Sequence, residues 1–293
     1  MAVTFRKLHP LFAAEAVGLE LTFPLPPDTV ATIQQGMDEF AVLLIRGQPL
    51  TEEQEMAVGE ALGPIEAKPA SVGMGSKRLA DARMNDISNL DSDGSLLAAD
   101  SPRRLFNLGN RLWHTDSSFK SLPAKYSMLY GHKVPAQGGD TEFADMRAAW
   151  DRLDPALQEE VFDLVADHSL LYSRALLGFD QFSAEERERY EPVPQRLVRR
   201  IPGSGRLALY LASHIGAIAS MRRPEAMVLV RDLIEHATQP DLVYRHQWQP
   251  HDLVIWDNRC TMHRATRFND GGEVRDMRRV TVSDYASSLE QPR

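Results

Sequence analysis

Cysteine is almost absent from this chain, because Cys260 is the only one among its 293 residues. A single cysteine excludes an intrachain disulfide framework and is typical of a protein in a reducing compartment. No apolar run reaches membrane-spanning length, and residues 1–7 lack the apolar centre of a signal peptide. We therefore expect a cytoplasmic protein without a membrane partner.

Basic residues are also in the minority, with 33 Lys and Arg against 41 Asp and Glu and a formal net charge of −8. This balance disfavours a broad phosphate-binding surface, and hence nucleic acid as a partner, but it does not exclude a local basic pocket. Internal repeats, low-complexity tracts and linkers are absent from the sequence. We expect one domain over residues 1–293, with a loop or lid insertion at about 67–104.

Many short strand patterns alternate irregularly with a few helical ones, which favours a β-barrel or sandwich with added helices over a doubly wound parallel sheet. Thr51 and Gln54 form a capping box at the start of one helix. The predicted helices are 29–40, 51–62, 145–153, 155–167, 184–190 and 224–238. The predicted strands are 41–45, 86–90, 126–134, 141–143, 168–172, 195–201, 207–212, 243–248, 253–256 and 278–285, and residues 67–82 and 91–104 are predicted loops.

His114 and Asp116 offer an imidazole and a carboxylate two residues apart. In an extended backbone these side chains point the same way, since side chains alternate with period two. One metal ion could then bind both, and a second histidine would complete a three-ligand face with open positions. Such a face suits non-haem Fe(II) that activates oxygen.

Three later features supply what this pair lacks. His263 follows the buried strand predicted at 253–256 and could project into a barrel mouth. Thr141 places a hydroxyl at the start of a strand, directly after the turn Gly138-Gly139-Asp140. Arg275 and Arg279 lie on one face of an extended segment, and two arginine forks in a pocket imply two anionic groups to hold.

Each feature taken singly has an ordinary explanation. A His-x-Asp pair is more often a surface pair than a metal site, and His263 could be a simple loop histidine. The two arginines could form a solvated face beside Glu273 and Asp276. Their combination, in this order along the chain, favours a functional site.

The combination resembles the Fe(II)/2-oxoglutarate-dependent dioxygenases of the taurine dioxygenase and 2,4-dichlorophenoxyacetate dioxygenase family. The likeness covers nearly the whole chain. The matching motifs are Trp113-His114-Thr115-Asp116-Ser117-Ser118-Phe119, Gly138-Gly139-Asp140-Thr141-Glu142-Phe143, Trp256-Asp257-Asn258-Arg259, Met262-His263-Arg264 and Arg275-Asp276-Met277-Arg278-Arg279. The stretches around Ala144-Asp145-Met146-Arg147, His168-Ser169-Leu170 and Glu235-His236-Ala237-Thr238 favour the phenoxyacetate-degrading branch.

The resemblance implies a double-stranded β-helix, or jelly roll, decorated by α-helices. It also implies that His114, Asp116 and His263 bind the iron. Thr141 and Arg275 would hold the distal carboxylate of the cosubstrate 2-oxoglutarate, and Arg279 would hold the acidic group of the substrate. Further candidates for the substrate pocket are His214, Asn110, Ser88 and Asn89.

The implied reaction uses O2 as second cosubstrate and hydroxylates the carbon next to the ether oxygen of an aryloxyalkanoic acid such as 2,4-dichlorophenoxyacetate. Its products are a phenol, glyoxylate, succinate and CO2. One alternative is the same chemistry on a sulfonate, an alkyl sulfate or another small organic acid. A more remote alternative is a jelly roll with a structural or hydrolytic Zn site. By analogy with the family we expect an assembly of identical subunits.

Overall fold

Fifteen strands and eight α-helices lie within residues 3–67 and 78–293, the part of the chain that the computed structural model describes. The strands are β1 (Thr4–Lys7), β2 (Ala14–Val17), β3 (Val42–Ile45), β4 (Asn85–Asp86), β5 (Ala124–Lys133), β6 (Thr141–Asp145), β7 (Val165–His168), β8 (Val193–Arg196), β9 (Val198–Arg200), β10 (Leu207–Leu209), β11 (Ile215–Ile218), β12 (Val243–His246), β13 (Leu253–Asp257), β14 (Thr261–Ala265) and β15 (Asp276–Ser283). The helices are α1 (Pro27–Phe40), α2 (Glu52–Leu62), α3 (Pro102–Asn107), α4 (Met146–Asp151), α5 (Pro155–Val161), α6 (Leu170–Ala175), α7 (Ala184–Arg189) and α8 (Arg223–Ala237). Short 3-10 helices occupy Leu108–Arg111 and Pro240–Leu242.

A seven-stranded sheet in the order β1-β2-β3-β13-β5-β15-β4 forms one wall of the fold. Helices α1 and α2 pack on its outer face through an apolar cluster that includes Ile33, Met37 and Met56. All four residues of β3 are buried, which explains why this strand is continuously apolar rather than alternating.

The opposite wall is a three-stranded sheet in the order β12-β6-β14. A second apolar cluster joins the two walls, with Trp256 of β13 and Met277 of β15 packed with Phe143 of β6. Two facing, mainly antiparallel sheets of this kind form the jelly-roll core that the sequence predicts. A third cluster lies under α4 and α8 and joins the smaller sheets to this core.

Several predicted boundaries are confirmed by local chemistry. Helix α2 begins at the expected capping box, in which the Thr51 hydroxyl accepts from the backbone N–H of Gln54 and the Gln54 side chain accepts from Thr51. Asp145 caps α4 by accepting from the N–H groups of Arg147 and Ala148. Hairpin β9–β10 lies where the sequence places one, with Val198 paired to Leu209.

Four predictions of secondary structure are wrong. The strand predicted at 168–172 ends at His168, because the Ser169 hydroxyl accepts from the N–H of Tyr172 and starts helix α6. The helix predicted at 155–167 ends at Val161, and the chain continues into β7. The strand predicted at 86–90 is reduced to β4, and the loop predicted at 91–104 contains the start of α3 at Pro102.

In the described part of the predicted lid, residues 78–104, the regular elements are β4 and the start of α3. Lys68 and Lys77, whose charges the sequence allows either as solvated loop charges or as contacts to an anionic substrate, lie outside the described residues. Arg78 is described, and its guanidinium binds Asp86, Ser88 and Asp276. A lid role for the whole stretch and a single domain over 1–293 stay predictions. Within the described residues, no helix is long and apolar enough to cross a membrane.

Candidate metal centre and its cavity

His114, Asp116 and His263 converge at one buried point, where one potential ligand atom from each lies within 4.8 Å of the others. His114 and His263 are held by two backbone hydrogen bonds across an antiparallel bridge, of 3.0 and 2.8 Å. His263 lies in β14 rather than in a loop after β13. The segment between His114 and Asp116 is not a regular strand, since Asp116 begins a turn that continues through Ser117 at φ 54°.

The two histidines are prepared to bind a metal as neutral imidazoles. Burial lowers the pKa of His114 and lowers that of His263 well below its ordinary value. The Leu112 carbonyl lies 2.7 Å from Nδ1 of His114, so Nδ1 carries the proton and Nε2 is free. Neutral imidazoles and an ionised carboxylate are the forms that bind divalent metals.

Asp116 is ionised despite its burial. Burial alone would raise the pKa of Asp116, but the Arg279 guanidinium, supported by the hydrogen bond from Ser127, outweighs this effect and the pKa falls to about 2. Nη1 of Arg279 donates to Oδ1 of Asp116 at 2.5 Å, and the Ser127 hydroxyl donates to Oδ2 at 2.7 Å. The two imidazoles and the carboxylate are therefore already in the protonation states that bind a divalent metal ion.

Arg275 is a buried cation beside this centre. Its side chain has no carboxylate within 4 Å among the described residues, and burial lowers the pKa of Arg275 to about 10. Nε donates to the Gly139 carbonyl at 3.2 Å, which orients the guanidinium. A buried guanidinium without a paired carboxylate is costly in free energy, and an anionic ligand would remove that cost.

Thr141 faces the same space at the start of β6. Its Oγ1 accepts a hydrogen bond from Nε1 of Trp248 at 3.0 Å. Since a hydroxyl has one proton, this contact leaves the proton of Thr141 available to an acceptor in the cavity. Trp248 was not identified from the sequence, where a tryptophan near a strand end carries no signal of this role.

A cavity of about 110 Å³ opens over the metal centre. The predicted residues His114, His263, Thr141, Arg275, Arg279, Asn110, Ser88 and Asn89 all line it. Its apolar walls come from Ile87, Leu97, Leu108, Leu129, Trp256, Ala265 and Phe268. Arg104, Arg111 and Asp270, which the sequence did not single out, also reach its surface.

His214 does not line this cavity. Its ring lies 6.1 Å from that of His114 and 5.0 Å from that of Phe119, and its Nδ1 is 2.9 Å from the Ser173 hydroxyl. The structure thus places His214 behind the metal centre. A contact between His214 and substrate stays a prediction.

Ser88 and Asn89 face the cavity with polar groups that already have partners. The Asn89 carbonyl oxygen accepts from the backbone N–H of Arg275 at 2.9 Å, and its amide donates to the carbonyls of Asp270 and Glu273. The Ser88 hydroxyl accepts from Arg78 at 2.9 Å. Asn89 therefore fixes the segment that carries Arg275, a contact that spans 186 residues and leaves no local pattern.

Comparison with known proteins agrees with this site. The model of the family "Taurine catabolism dioxygenase TauD, TfdA family" matches residues 4–281. The chain is 43% identical over 286 residues to the alpha-ketoglutarate-dependent 2,4-dichlorophenoxyacetate dioxygenase of Cupriavidus pinatubonensis, covering 98% of this chain and 99% of that protein. An enzyme of the same name from a Burkholderia species is 41% identical, with 96% and 95% covered.

A solved structure of AAD-2 in complex with Mn(II) and N-oxalylglycine superposes with a TM-score of 0.91 and 48% sequence identity. It covers 98% of this chain and 100% of the AAD-2 chain. The fold and the sequence of the two chains thus agree along nearly the whole length, and the AAD-2 structure holds a metal ion. The chain belongs to the taurine catabolism dioxygenase TauD, TfdA family.

Proposed function

We propose that this chain is an Fe(II)- and 2-oxoglutarate-dependent dioxygenase that hydroxylates an aryloxyalkanoic acid. The observation that carries the proposal is the cavity, in which Arg275 and Arg279 approach a His-Asp-His centre from an otherwise largely apolar wall. The 2,4-dichlorophenoxyacetate dioxygenases that resemble the chain over almost its full length support this substrate class.

His114, Asp116 and His263 would hold the iron, and Arg275 with Thr141 would hold the distal carboxylate of 2-oxoglutarate. Arg275 supplies two parallel N–H groups for a bidentate contact, and Thr141 supplies its free hydroxyl proton. When bound, Fe(II) and 2-oxoglutarate together activate O2, and 2-oxoglutarate is converted to succinate and CO2.

Arg279 would hold the acidic group of the substrate. Its Nη1 is used by Asp116, whereas its buried Nε has no hydrogen-bond partner among the described residues. A substrate carboxylate near this unused donor would lie close to the metal centre. The carbon between that carboxylate and the ether oxygen would then be the nearest one to the oxidant, and position determines the outcome.

The apolar walls favour an aryl group over a small hydrophilic chain. Leu108, Leu129 and Phe268 would contact the ring and exclude water from it. One oxygen atom of O2 enters the substrate C–H bond and the other enters succinate. The hydroxylated carbon of an aryloxyacetate is a hemiacetal, which breaks its bond to the aryl oxygen and gives a phenol and glyoxylate.

The test is a substrate panel with Fe(II), 2-oxoglutarate and O2, in which succinate and phenol are measured. We expect phenoxyacetates to release both products, and taurine and an alkyl sulfate to give less succinate under the same conditions. Higher succinate formation with the sulfonate or sulfate would replace the proposed substrate class. No succinate with any acid, together with unchanged 2-oxoglutarate binding in Arg275→Ala, would favour a metal-binding jelly roll without oxygenase activity.

The relatives support a small anionic substrate for this chain. We propose further that identical subunits assemble and that nucleic acid and membranes are not partners. Light scattering of the purified protein would give the subunit number. A monomer at working concentration would contradict the assembly.

A further inference from the structure

The buried amide of Asn258 holds Asp116 directly at its backbone and, through the Ser127 hydroxyl, at its side chain. The backbone N–H of Asp116 donates to Oδ1 of Asn258 at 3.1 Å. Nδ2 of Asn258 donates to the Ser127 hydroxyl at 2.9 Å, and that hydroxyl donates to Oδ2 of Asp116 at 2.7 Å. Asn258 and Ser127 have no exposed surface, and Asp116 is nearly buried.

The directions of these hydrogen bonds follow from the available protons. Oδ1 of Asn258 accepts from two N–H groups, of Asp116 and of the Trp256 indole at 3.0 Å, so the amide orientation is fixed by donors that cannot act as acceptors. Nδ2 must then donate to Ser127. Because Ser127 accepts this bond, its single proton is directed to the carboxylate of Asp116.

The same amide connects the metal centre to the cavity wall. Trp256, which donates to Asn258, lines the cavity, and its ring centroid is 4.7 Å from that of His263. The backbone N–H of Asn258 is itself bound to the Lys125 carbonyl of β5 at 2.9 Å. Two strands of the large sheet, β5 and β13, therefore determine where the turn carrying Asp116 lies.

We propose that Asn258 and Ser127 are positioning residues that preset Asp116 to bind the metal ion, a role that rests on the proposed function. They do not touch the metal position, but they fix the plane of the carboxylate. Loss of either would leave buried polar groups without partners, and loss of the Ser127 bond would leave the carboxylate held by Arg279 at Oδ1 but not at Oδ2. Groups that orient a metal ligand in this way are worth about 10–100-fold in metal affinity.

The network predicts that the two residues act as one unit. Removing the Ser127 hydroxyl breaks the path that the described residues provide from the Asn258 amide to Oδ2 of Asp116. Removing the Asn258 amide leaves the Ser127 proton free to turn away. The double variant should therefore bind the metal ion as tightly as the single variant with the lower affinity does. Its loss of affinity should not equal the product of the two single losses.

The experiment is a titration of the purified, metal-free chain with Co(II), by calorimetry and by the Co(II) absorption spectrum. Ser127→Ala, Asn258→Ala and the double variant are compared with the parent. Thr281→Val is the matched control, because Thr281 is paired with Ser127 across β5 and β15 and has a buried hydroxyl with no partner among the described residues. We expect at least a 10-fold weaker Kd in the Ser127 and Asn258 variants and an altered spectrum, with the control within about twofold of the parent.

Circular dichroism and thermal unfolding of the metal-free forms establish that each variant is folded. If Asn258→Ala fails to fold, the Co(II) affinity of Ser127→Ala alone decides the test, since this substitution removes only one oxygen atom. Unchanged Co(II) affinity in folded Ser127→Ala, in a parent that binds Co(II), would overturn this inference and leave the proposed function intact. Absence of Co(II) binding by the parent would overturn both.

Discussion

The two ends of the cavity are built in different ways. At the metal end, the carboxylate of Asp116 is only 5% exposed and accepts from Arg279 and Ser127. At the other end lies the segment Pro102–Arg111, here called the roof segment, whose helix α3 has no buried residue. Arg104 and Arg111 of the roof segment bind the single carboxylate of Asp270, at 3.1 and 3.5 Å, where the side chain is 21% exposed.

The two ends of the cavity therefore differ in how firmly their side chains are held. A buried network with matched donors and acceptors holds its atoms in one arrangement, since every alternative leaves a polar group unsatisfied. Partly exposed ion pairs contribute only about 0–1 kcal/mol each, so the pairs of Arg104 and Arg111 with Asp270 hold this part of the roof segment weakly. Arg103 holds the start of the segment more firmly, because it lies 2.8 Å from the nearly buried Asp86 carboxylate and donates to the Leu90 carbonyl at 2.8 Å. The metal end is thus suited to fixed geometry, and we expect motion of the roof segment to be confined to the part that carries Arg104 and Arg111.

The largest expected effect is at the metal end, in His263→Ala. Since a group that merely orients a metal ligand is worth about 10–100-fold in affinity, loss of a ligand should cost more than about 100-fold. Co(II) titration and succinate formation would measure this loss. The control His132→Ala, in a separate groove beside Arg278, should bind Co(II) as the parent does.

Arg275→Ala should be next in size and should affect 2-oxoglutarate rather than the metal. Removing one partner of a buried charge pair costs about 2–5 kcal/mol, or about 30-fold or more in KM for 2-oxoglutarate. Co(II) affinity should stay within about twofold, because Arg275 donates to Gly139 and not to the histidines or Asp116. The exposed Arg267→Ala is the matched control, and an equal loss there would contradict the assignment.

Asn89→Ala tests whether Arg275 needs the hydrogen bonds of Asn89 to bind 2-oxoglutarate. The variant loses three hydrogen bonds to the segment between Asp270 and Arg275. If the loss of these hydrogen bonds weakens the binding of 2-oxoglutarate by about 1 kcal/mol or more, its KM should rise about fivefold or more. Asn89→Asp keeps the acceptor for Arg275 but places a carboxylate oxygen against the carbonyls of Asp270 and Glu273, so it should raise this KM at least as much as Asn89→Ala. A change confined to the KM of the organic acid would instead indicate direct contact with substrate.

The smallest effect is expected at the roof segment, in Asp270→Asn. Loss of this carboxylate frees Arg104 and Arg111 and makes the cavity mouth more positive, so kcat/KM for an anionic substrate should rise by about two- to fivefold at low salt. The gain should disappear near an ionic strength of about 1 M, where charges are screened within about 3 Å. Asp93→Asn, on an exposed loop, controls for net charge. A gain that persists at high salt would contradict an electrostatic origin.

Much of the candidate site could be predicted because its chemistry depends on residue types with a local pattern. His114 and Asp116 are two residues apart, and Arg275 and Arg279 are four apart in a stretch that continues into β15. Each pair is recognisable before any fold is known. The secondary structure failed where one side chain overrode the pattern, as at Ser169, whose hydroxyl starts a helix in a stretch that looks like a strand.

Other features could not be predicted, since their partners are far apart in the chain. Asn258 and Ser127 are separated by 131 residues, and Asp270 and Arg104 by 166. Neither asparagine nor aspartate at these positions carries a signal of its partner. The pairing of β13 with β5 and of β15 with β5 decides which of these side chains meet.

The sequence by itself indicated the candidate metal ligands and the two arginines, because residue type and spacing are local, and its resemblance to the dioxygenase family implied the jelly roll. Only the tertiary structure decided that Asn258 and Ser127 hold Asp116, that Asn89 holds Arg275, and that Arg104 and Arg111 share the carboxylate of Asp270 at the cavity. The physical reason is that a hydrogen bond depends on distances of about 3 Å and on proton direction. Those quantities are set by strand pairing across the whole chain, and no local stretch contains them.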